Sequence, residues 1–158
     1  GYGGPCFPRD NRAFARMAQQ LGINAPFAPK TDEYNQSIIE QWVTKIKHQV
    51  SPSQSIAFVG LSYKPGTAFA EESQTIAIVQ RLLTDGFRVH VHNPDGNEHA
   101  RQLLDGTVTY HEELDSCTKN ADVIFLGLPM PMVCTSLKEM LGKNPKPVID
   151  PWRQLSSL

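Results

Sequence analysis

Ser55-Ile56-Ala57-Phe58-Val59-Gly60-Leu61 is a short apolar run, β-branched and aromatic in character, that ends at a glycine. Such a run reads as a buried strand leading into a tight turn. Downstream, strand and helix signals alternate. Ser73–Leu83 places Ile76, Ala77, Val79, Leu82 and Leu83 on one helical face and stops at Asp85-Gly86; Phe87–His92 is a second strand and Asn97–Leu104 a helix. Val108 marks a short strand, followed by the helical Glu112–Lys119, the buried strand Asp122–Leu126, the helix Val133–Leu141 and a last strand at Pro147–Asp150. Strands separated by helices of about 8–12 residues imply βαβ units with right-handed crossovers. The expected class is α/β, a doubly wound, mostly parallel sheet of five to six strands. Ligands of such sheets bind beyond the strand C-termini, an edge to which Gly60–Thr67, Asn93-Pro94, Gly127–Pro131 and Asp150–Arg153 all map.

Upstream of Ser55 the rhythm is different. Ser51-Pro52-Ser53 closes a helix, and the 51–54 stretch is the candidate boundary between a 1–54 unit and a 55–158 unit. Two helices are expected before it. The first runs from Pro8 to Leu21, with Phe14, Met17, Ala18 and Leu21 at helical spacing and Gly22 as the stop. The second starts near Thr31, with Asp32 and Glu33 in its first turn and Tyr34, Ile38, Ile39, Trp42, Val43 and Ile46 as its apolar stripe. That stripe, wider than a short unit needs, packs either within the chain or against a second copy.

At the start of the chain stands Gly1-Tyr2-Gly3-Gly4-Pro5-Cys6-Phe7-Pro8-Arg9-Asp10. Cys6 lies between a glycine loop and a helix N-terminus, where unpaired N–H groups and the helix dipole favour a thiolate. On the residues alone it is a nucleophile or a small buried apolar side chain. Asp10, one turn on, either activates a water or serves the first turn of its helix. Tyr63 and Lys64, on the turn after the first strand, contact a base or sugar and a phosphate in one reading; in the other, Tyr63 is core and Lys64 is solvated. The turn lacks the G-x-G-x-x-G and P-loop spacings.

The composition narrows the possibilities. The 158 residues are 40% hydrophobic and 20% charged, with a net charge of -1, as befits an ordered domain without bulk attraction to nucleic acid or an anionic membrane. There is no basic stripe for nucleic acid and no apolar run long enough to span a bilayer. The cysteines are Cys6, Cys117 and Cys134, an odd, sparse set without metal-ligand spacing, so neither a disulfide framework nor a metal site is expected. The expected compartment is a reducing cytoplasm.

Gly1–Asp10 closely resembles the active-site loop of the UDP-glucose/GDP-mannose dehydrogenase family, which reads roughly G-F/Y-G-G-x-C-F/L-P-K-D. Gly60–Ser73 resembles the family stretch G-x-x-F/Y-K-x-x-T-x-D-x-R-E-S, and the likeness covers essentially the whole chain. It implies that residues 1–54 are the active-site loop and the end of a central, dimer-forming helical domain, and that 55–158 are a Rossmann-like C-terminal domain binding the UDP part of a nucleotide sugar. It further implies NAD-dependent oxidation of a sugar C6 hydroxymethyl to a carboxylate, with Cys6 forming a thioester and Asp10 assisting its hydrolysis. Gly3, Gly4 and Phe7 would line the substrate pocket, Tyr63 and Lys64 would contact the substrate, and Arg153 would match a substrate-binding arginine. NAD would be held mainly by a domain upstream of Gly1, so this chain alone is expected to be inactive and the full-length protein a cytoplasmic homodimer.

Departures from the family pattern qualify that picture. Arg9 stands for the usual lysine, and Phe69-Ala70-Glu71-Glu72-Ser73 for D-x-R-E-S, so Glu71 occupies the position of the arginine that reaches the cofactor. An acid there reverses the sign of the interaction with a phosphate. Asn93 and Gly127-Leu128-Pro129 also differ from the family residues. A non-catalytic nucleotide-sugar-binding module descended from this family is the competing reading.

Overall fold

The computed structural model describes residues 1–104 and 106–155; Asp105 and 156–158, which fall inside the expected 55–158 unit, lie outside the described residues. Two helices open the chain, α1 (Phe7–Gln20) and α2 (Phe27–Gln49). There follow β1 (Ser55–Val59), α3 (Gln74–Thr84), β2 (Arg88–His92), α4 (Glu98–Leu103), β3 (Thr109–Tyr110), α5 (Leu114–Lys119), β4 (Val123–Leu126), α6 (Pro131–Lys143) and β5 (Val148–Ile149). Among the described residues the five strands form one sheet in the order β3-β2-β1-β4-β5, every pairing parallel. This is a doubly wound α/β sheet. Its direction of winding reverses between β1 and β4, so the topological switch point lies at their C-terminal ends.

β1 and β4 are buried along their whole lengths, which is why their sequences run continuously apolar instead of alternating. Ile56 and Phe58 of β1 face a core shared with Ile39, Val43 and Ile46 of α2 and Ile76, Val79 and Leu82 of α3. Ala57 and Val59 face the opposite core, formed with Cys117 of α5 and Val133, Cys134 and Leu137 of α6. The 51–54 stretch forms a turn, yet the core runs across it, because α2 and the sheet bury the same cluster.

Several elements differ from expectation. The first strand ends at Val59, since Gly60 takes φ +86° and swings the chain out of the ladder. Thr109–Tyr110 form the short third strand, with Val108 buried just before it. α2 starts at Phe27, not near Thr31, because Pro29 falls in the first turn, where its missing N–H has no intrahelical partner to lose. α6 likewise admits Pro131 in its first turn. The apolar stripe expected on α2 divides, with Tyr34 65% exposed. Ile39, Val43 and Ile46 of α2 are consumed by the core, and Trp42 packs edge-on to Phe125 at 5.9 Å. On α1 only Pro8 and Ala18 are buried, and Phe14, Met17 and Leu21 face outward. Among the described residues no helix is long and apolar enough to cross a membrane.

Candidate functional site

At the switch point the ends of β1 and β4 nearly touch. A Cβ on Gly127 would lie 2.1 Å from the Gly60 carbonyl oxygen, so only glycine lets the two turns leave the sheet side by side. Beside them opens a cleft of about 230 Å³, lined by the Gly1–Gly3 backbone, Trp42, Ser62, Tyr63, Gln74, Leu128 and Trp152, among others. No side chain lining it is charged. Trp152 is pinned there by its Nε1–H, which donates to the Gly127 carbonyl at 3.0 Å. Asn93, expected on this edge, is buried and works behind it. Its Oδ1 accepts from the Leu61 N–H at 3.0 Å, and its Nδ2 donates to Ser62 Oγ at 2.9 Å and to the Gly96 carbonyl at 2.6 Å. Asn93 therefore braces the turn after β1 against the turn after β2.

The N-terminal loop docks onto the same edge. Gly4 is buried at φ +86°, and its Cα lies against the ring of Tyr63, where a Cβ would come within 2.5 Å of Cδ2. Its N–H donates to the Glu71 carbonyl at 3.1 Å, so this amide is committed to the protein and not to a ligand. Gly3 passes close over the Glu72 carbonyl. Tyr2 is gripped on both sides of its backbone by the side-chain amide of Asn35. Asn35 Oδ1 accepts from the Tyr2 N–H at 2.8 Å, and its Nδ2 donates to the Tyr2 carbonyl at 2.9 Å. Gln74 Nε2 reaches the same carbonyl at 3.3 Å and Asn35 Oδ1 at 3.1 Å.

Cys6 is the N-cap residue of α1 and is exposed, which removes the buried-apolar alternative. Cys117 and Cys134 are both buried. Burial pushes the Cys117 thiol up to about 12, and burial, with Asp150 nearby, also raises Cys134. The Asp10 N–H donates to the Cys6 carbonyl at 2.8 Å, placing Asp10 one turn above Cys6. The Asp10 carboxylate accepts from Arg9 Nε at 2.8 Å, with both groups well exposed.

Other expected residues are spread around this centre. Lys64 is exposed with its ammonium 5.5 Å from the Tyr63 ring centroid, while Tyr63 is half-buried under Gly4. Phe7 stays outside the cleft, 75% exposed and edge-on to Tyr2 at 6.4 Å. Arg153 is also set apart, because Trp152 turns into the cleft and the chain reverses at Arg153 with φ +54°. Arg153 lines a separate hollow with Leu141, Pro145, Lys146 and Val148, beside β5. Glu71 is exposed at the loop contact, and its neighbour Glu72, at φ +52°, accepts from Arg12 at 2.7 Å. Arg12 also reaches Asp32 at 3.2 Å, and the Glu72 hydrogen bond is the main cause raising its pKa.

Asn35, Gln74 and Arg12 were not singled out by the sequence reading. The signal for Asn35 was present: it stands on the same helical face as Ile39, Val43 and Ile46, at i, i+4, i+8 and i+11. An asparagine at a buried helical position is unfavourable without partners.

The geometry can be set beside known proteins. A family model described as UDP-glucose/GDP-mannose dehydrogenase family, UDP binding domain, matches residues 57–157. The UDP-glucose 6-dehydrogenase YwqF of Bacillus subtilis is 28% identical over 128 residues, covering 80% of this chain and 29% of that protein. A GDP-mannose 6-dehydrogenase of Pseudomonas putida is 30% identical over 142 residues, covering 80% of this chain and 31% of its own length. The solved structure of a UDP-glucose dehydrogenase from the hyperthermophilic archaeon Pyrobaculum islandicum matches with a TM-score of 0.78 at 28% identity, covering 95% of this chain and 34% of that one. The chain thus spans less than a third of the length of the curated relatives it matches.

Proposed function

This chain belongs to the UDP-glucose/GDP-mannose dehydrogenase family, and on that premise we propose that the intact protein is an NAD-dependent nucleotide-sugar dehydrogenase. It oxidises a sugar C6 hydroxymethyl to a carboxylate, as in the conversion of UDP-glucose to UDP-glucuronate. The observation that carries the reading is the seating of Gly4 on Tyr63, which brings the Cys6 loop and the Tyr63-Lys64 turn to one edge of the sheet. The aromatic cleft, with no charged side chain in its lining, suits the nucleoside end of the substrate, and the exposed Lys64, next to the lining residue Tyr63, suits the diphosphate.

Cys6 Sγ attacks the carbonyl carbon of the aldehyde-level sugar, and the C=O electron pair moves onto oxygen. Covalent capture keeps a reactive aldehyde on the protein between the two oxidations. The first turn of α1 faces Cys6 with N–H groups that have no intrahelical acceptor, and these favour negative charge at that end. At the thioester stage a water adds to the acyl carbon. Asp10, one turn above Cys6, takes its proton, and the C–S bond breaks to restore the thiolate.

The oxidations belong to NAD, which this chain's residues do not fit. The turn after β1 reads Gly60-Leu61-Ser62-Tyr63-Lys64, and the acidic Glu71 stands where a cation would meet a pyrophosphate. No cofactor contact is assigned to this chain. Glu71 is also the one feature favouring a non-catalytic nucleotide-sugar-binding module. The intact protein is further proposed to be a homodimer working in the cytoplasm, with Phe14 and Met17 of α1 and Phe27 and Tyr34 of α2, all exposed, available to a second subunit.

The test is NADH formation by the intact protein from UDP-glucose or GDP-mannose. Cys6→Ser is expected to lower turnover at least 100-fold, about 2.7 kcal/mol of barrier, while nucleotide-sugar binding persists. Binding without any NAD+ reduction by the wild-type protein would establish the module reading. A Cys6→Ser protein above a hundredth of the wild-type rate would overturn the thioester.

A further inference from the structure

We infer that Asn35 is a positioning residue for Cys6, acting through the backbone of Tyr2; the catalytic part of this inference rests on the proposed role of Cys6. The α2 side chain mimics a peptide group. Its carbonyl oxygen takes the Tyr2 N–H at 2.8 Å and its amide nitrogen gives to the Tyr2 carbonyl at 2.9 Å, the pattern by which one strand holds another. Asn35 is 4% exposed inside a 23-residue helix, a location where an unpaired amide costs free energy and weakens the helix. Both its polar groups are spent on one residue of the loop, and Gln74 of α3 closes the triangle by donating to the Tyr2 carbonyl and to Asn35 Oδ1. Two helices of the sheet core therefore fix the backbone four residues before Cys6, and Gly4 on Tyr63 fixes it again two residues before.

Between these anchors and α1 the loop has little freedom. Asn11 Nδ2, from α1, donates to the Ala28 carbonyl at 2.7 Å, which holds α1 against the start of α2. The backbone leading to Cys6 thus takes its position from Asn35, although Asn35 itself lies on α2 and takes no part in the chemistry. A displacement of about 1 Å at a reacting atom lowers the rate roughly 100-fold, and that is the loss expected on releasing Tyr2.

The experiment uses the intact protein with Asn35→Leu, which keeps the volume and removes both hydrogen bonds, and Asn35→Asp, which keeps the acceptor for the Tyr2 N–H. Asn35→Leu is expected to lower kcat roughly 100-fold with KM for the nucleotide sugar within about threefold of wild type; Asn35→Asp falls between. Amide hydrogen exchange at Gly4 is expected to accelerate at least tenfold while exchange in β1 stays unchanged. Wild-type kcat in Asn35→Leu, unchanged exchange at Gly4, or accelerated exchange in β1 alongside the loss of activity would each overturn the positioning role. The exchange arm needs no turnover, so it decides the clamp even where Cys6→Ser shows the catalytic reading to be wrong.

Discussion

Gly4 lies flat against the Tyr63 ring, with a hypothetical Cβ only 2.5 Å from Tyr63 Cδ2 and a backbone φ of +86°. Two independent penalties therefore await Gly4→Ala. The left-handed backbone costs an alanine about 1–2 kcal/mol, and the collision with the ring adds to it. Tyr63→Ala removes the ring and leaves the first penalty alone. The Gly4→Ala cost measured by denaturant unfolding should be larger in the wild-type background than in Tyr63→Ala. Additive effects would mean that the loop does not rest on the ring.

The cysteines should separate cleanly by accessibility. Cys6 is exposed, whereas Cys117 is buried with its thiol raised to about 12 and Cys134 is buried with its thiol also raised. The thiolate is the reactive form. Brief iodoacetamide treatment of the native protein at neutral pH, read by mass spectrometry, should label Cys6 alone, with Cys117 and Cys134 following only after unfolding. Labelling of either buried cysteine first would contradict the packing of α5 and α6 on the sheet.

The alternation of strand and helix from Ser55 onward was legible because buried parallel strands are written as unbroken apolar runs, as at Ile56–Val59 and Val123–Leu126. The Cys6 loop and the Tyr63-Lys64 turn were legible because each motif is contiguous. What failed to read was orientation. The spacing of Phe14, Met17 and Leu21 describes a helical face, and nothing local says whether that face meets the core or the outside. Arg153 was placed by adjacency to the last strand, but a single left-handed residue sends Trp152 and Arg153 to different sides. Asn35 was legible only as a polar residue on the apolar face of α2; its partner, the backbone of Tyr2, carries no sequence signal.

His90 and His111 should make the fold sensitive to acid. The rings meet at 2.9 Å between His90 Nδ1 and His111 Nε2. Burial lowers the pKa of both; His111 further lowers His90, and His92 further lowers His111. Groups that bind protons more weakly when folded stabilise the fold above the unfolded histidine value, near 6.5, and that stability is lost as pH falls through the depressed folded values. The urea midpoint should therefore drop between pH 7.5 and pH 5, and His90→Gln should flatten the drop. An equally steep profile in His90→Gln would assign the acid sensitivity elsewhere.

Lys146 closes the end of α5. Its ammonium donates to the carbonyls of Thr118 at 2.8 Å, Lys119 at 3.0 Å and Ala121 at 2.7 Å. These include carbonyls that a helix terminus leaves without partners, at the negative end of its dipole. Lys146→Met keeps the stem and removes the donors, and should cost about 1–3 kcal/mol in denaturant unfolding. Lys146→Arg should recover only part of the loss, because a planar guanidinium cannot converge on three oxygens as an ammonium does. A Met variant as stable as wild type would show that water serves these carbonyls equally well.

Lys64 and Arg153 are both candidates for the diphosphate, and the structure separates them enough for binding to choose. Lys64 is exposed with its ammonium 5.5 Å from the ring centroid of Tyr63, which lines the cleft, while Arg153 lines the hollow next to β5. A nucleoside diphosphate with its base in the cleft would therefore place its charge near Lys64. Because that lysine is exposed, the contact is worth roughly 1 kcal/mol, or about fivefold in affinity, and it should fade as salt shortens the Debye length. Trp152 gives the readout, since its indole lines the cleft with its N–H on Gly127. UDP or GDP should change the tryptophan fluorescence of the intact protein, an effect reduced in Trp152→Phe, where Trp42 still lines the cleft. Lys64→Ala should weaken binding about fivefold at low salt, with Arg153→Ala close to wild type. A larger effect from Arg153→Ala than from Lys64→Ala would move the diphosphate to the β5 side and with it the direction in which the sugar reaches Cys6.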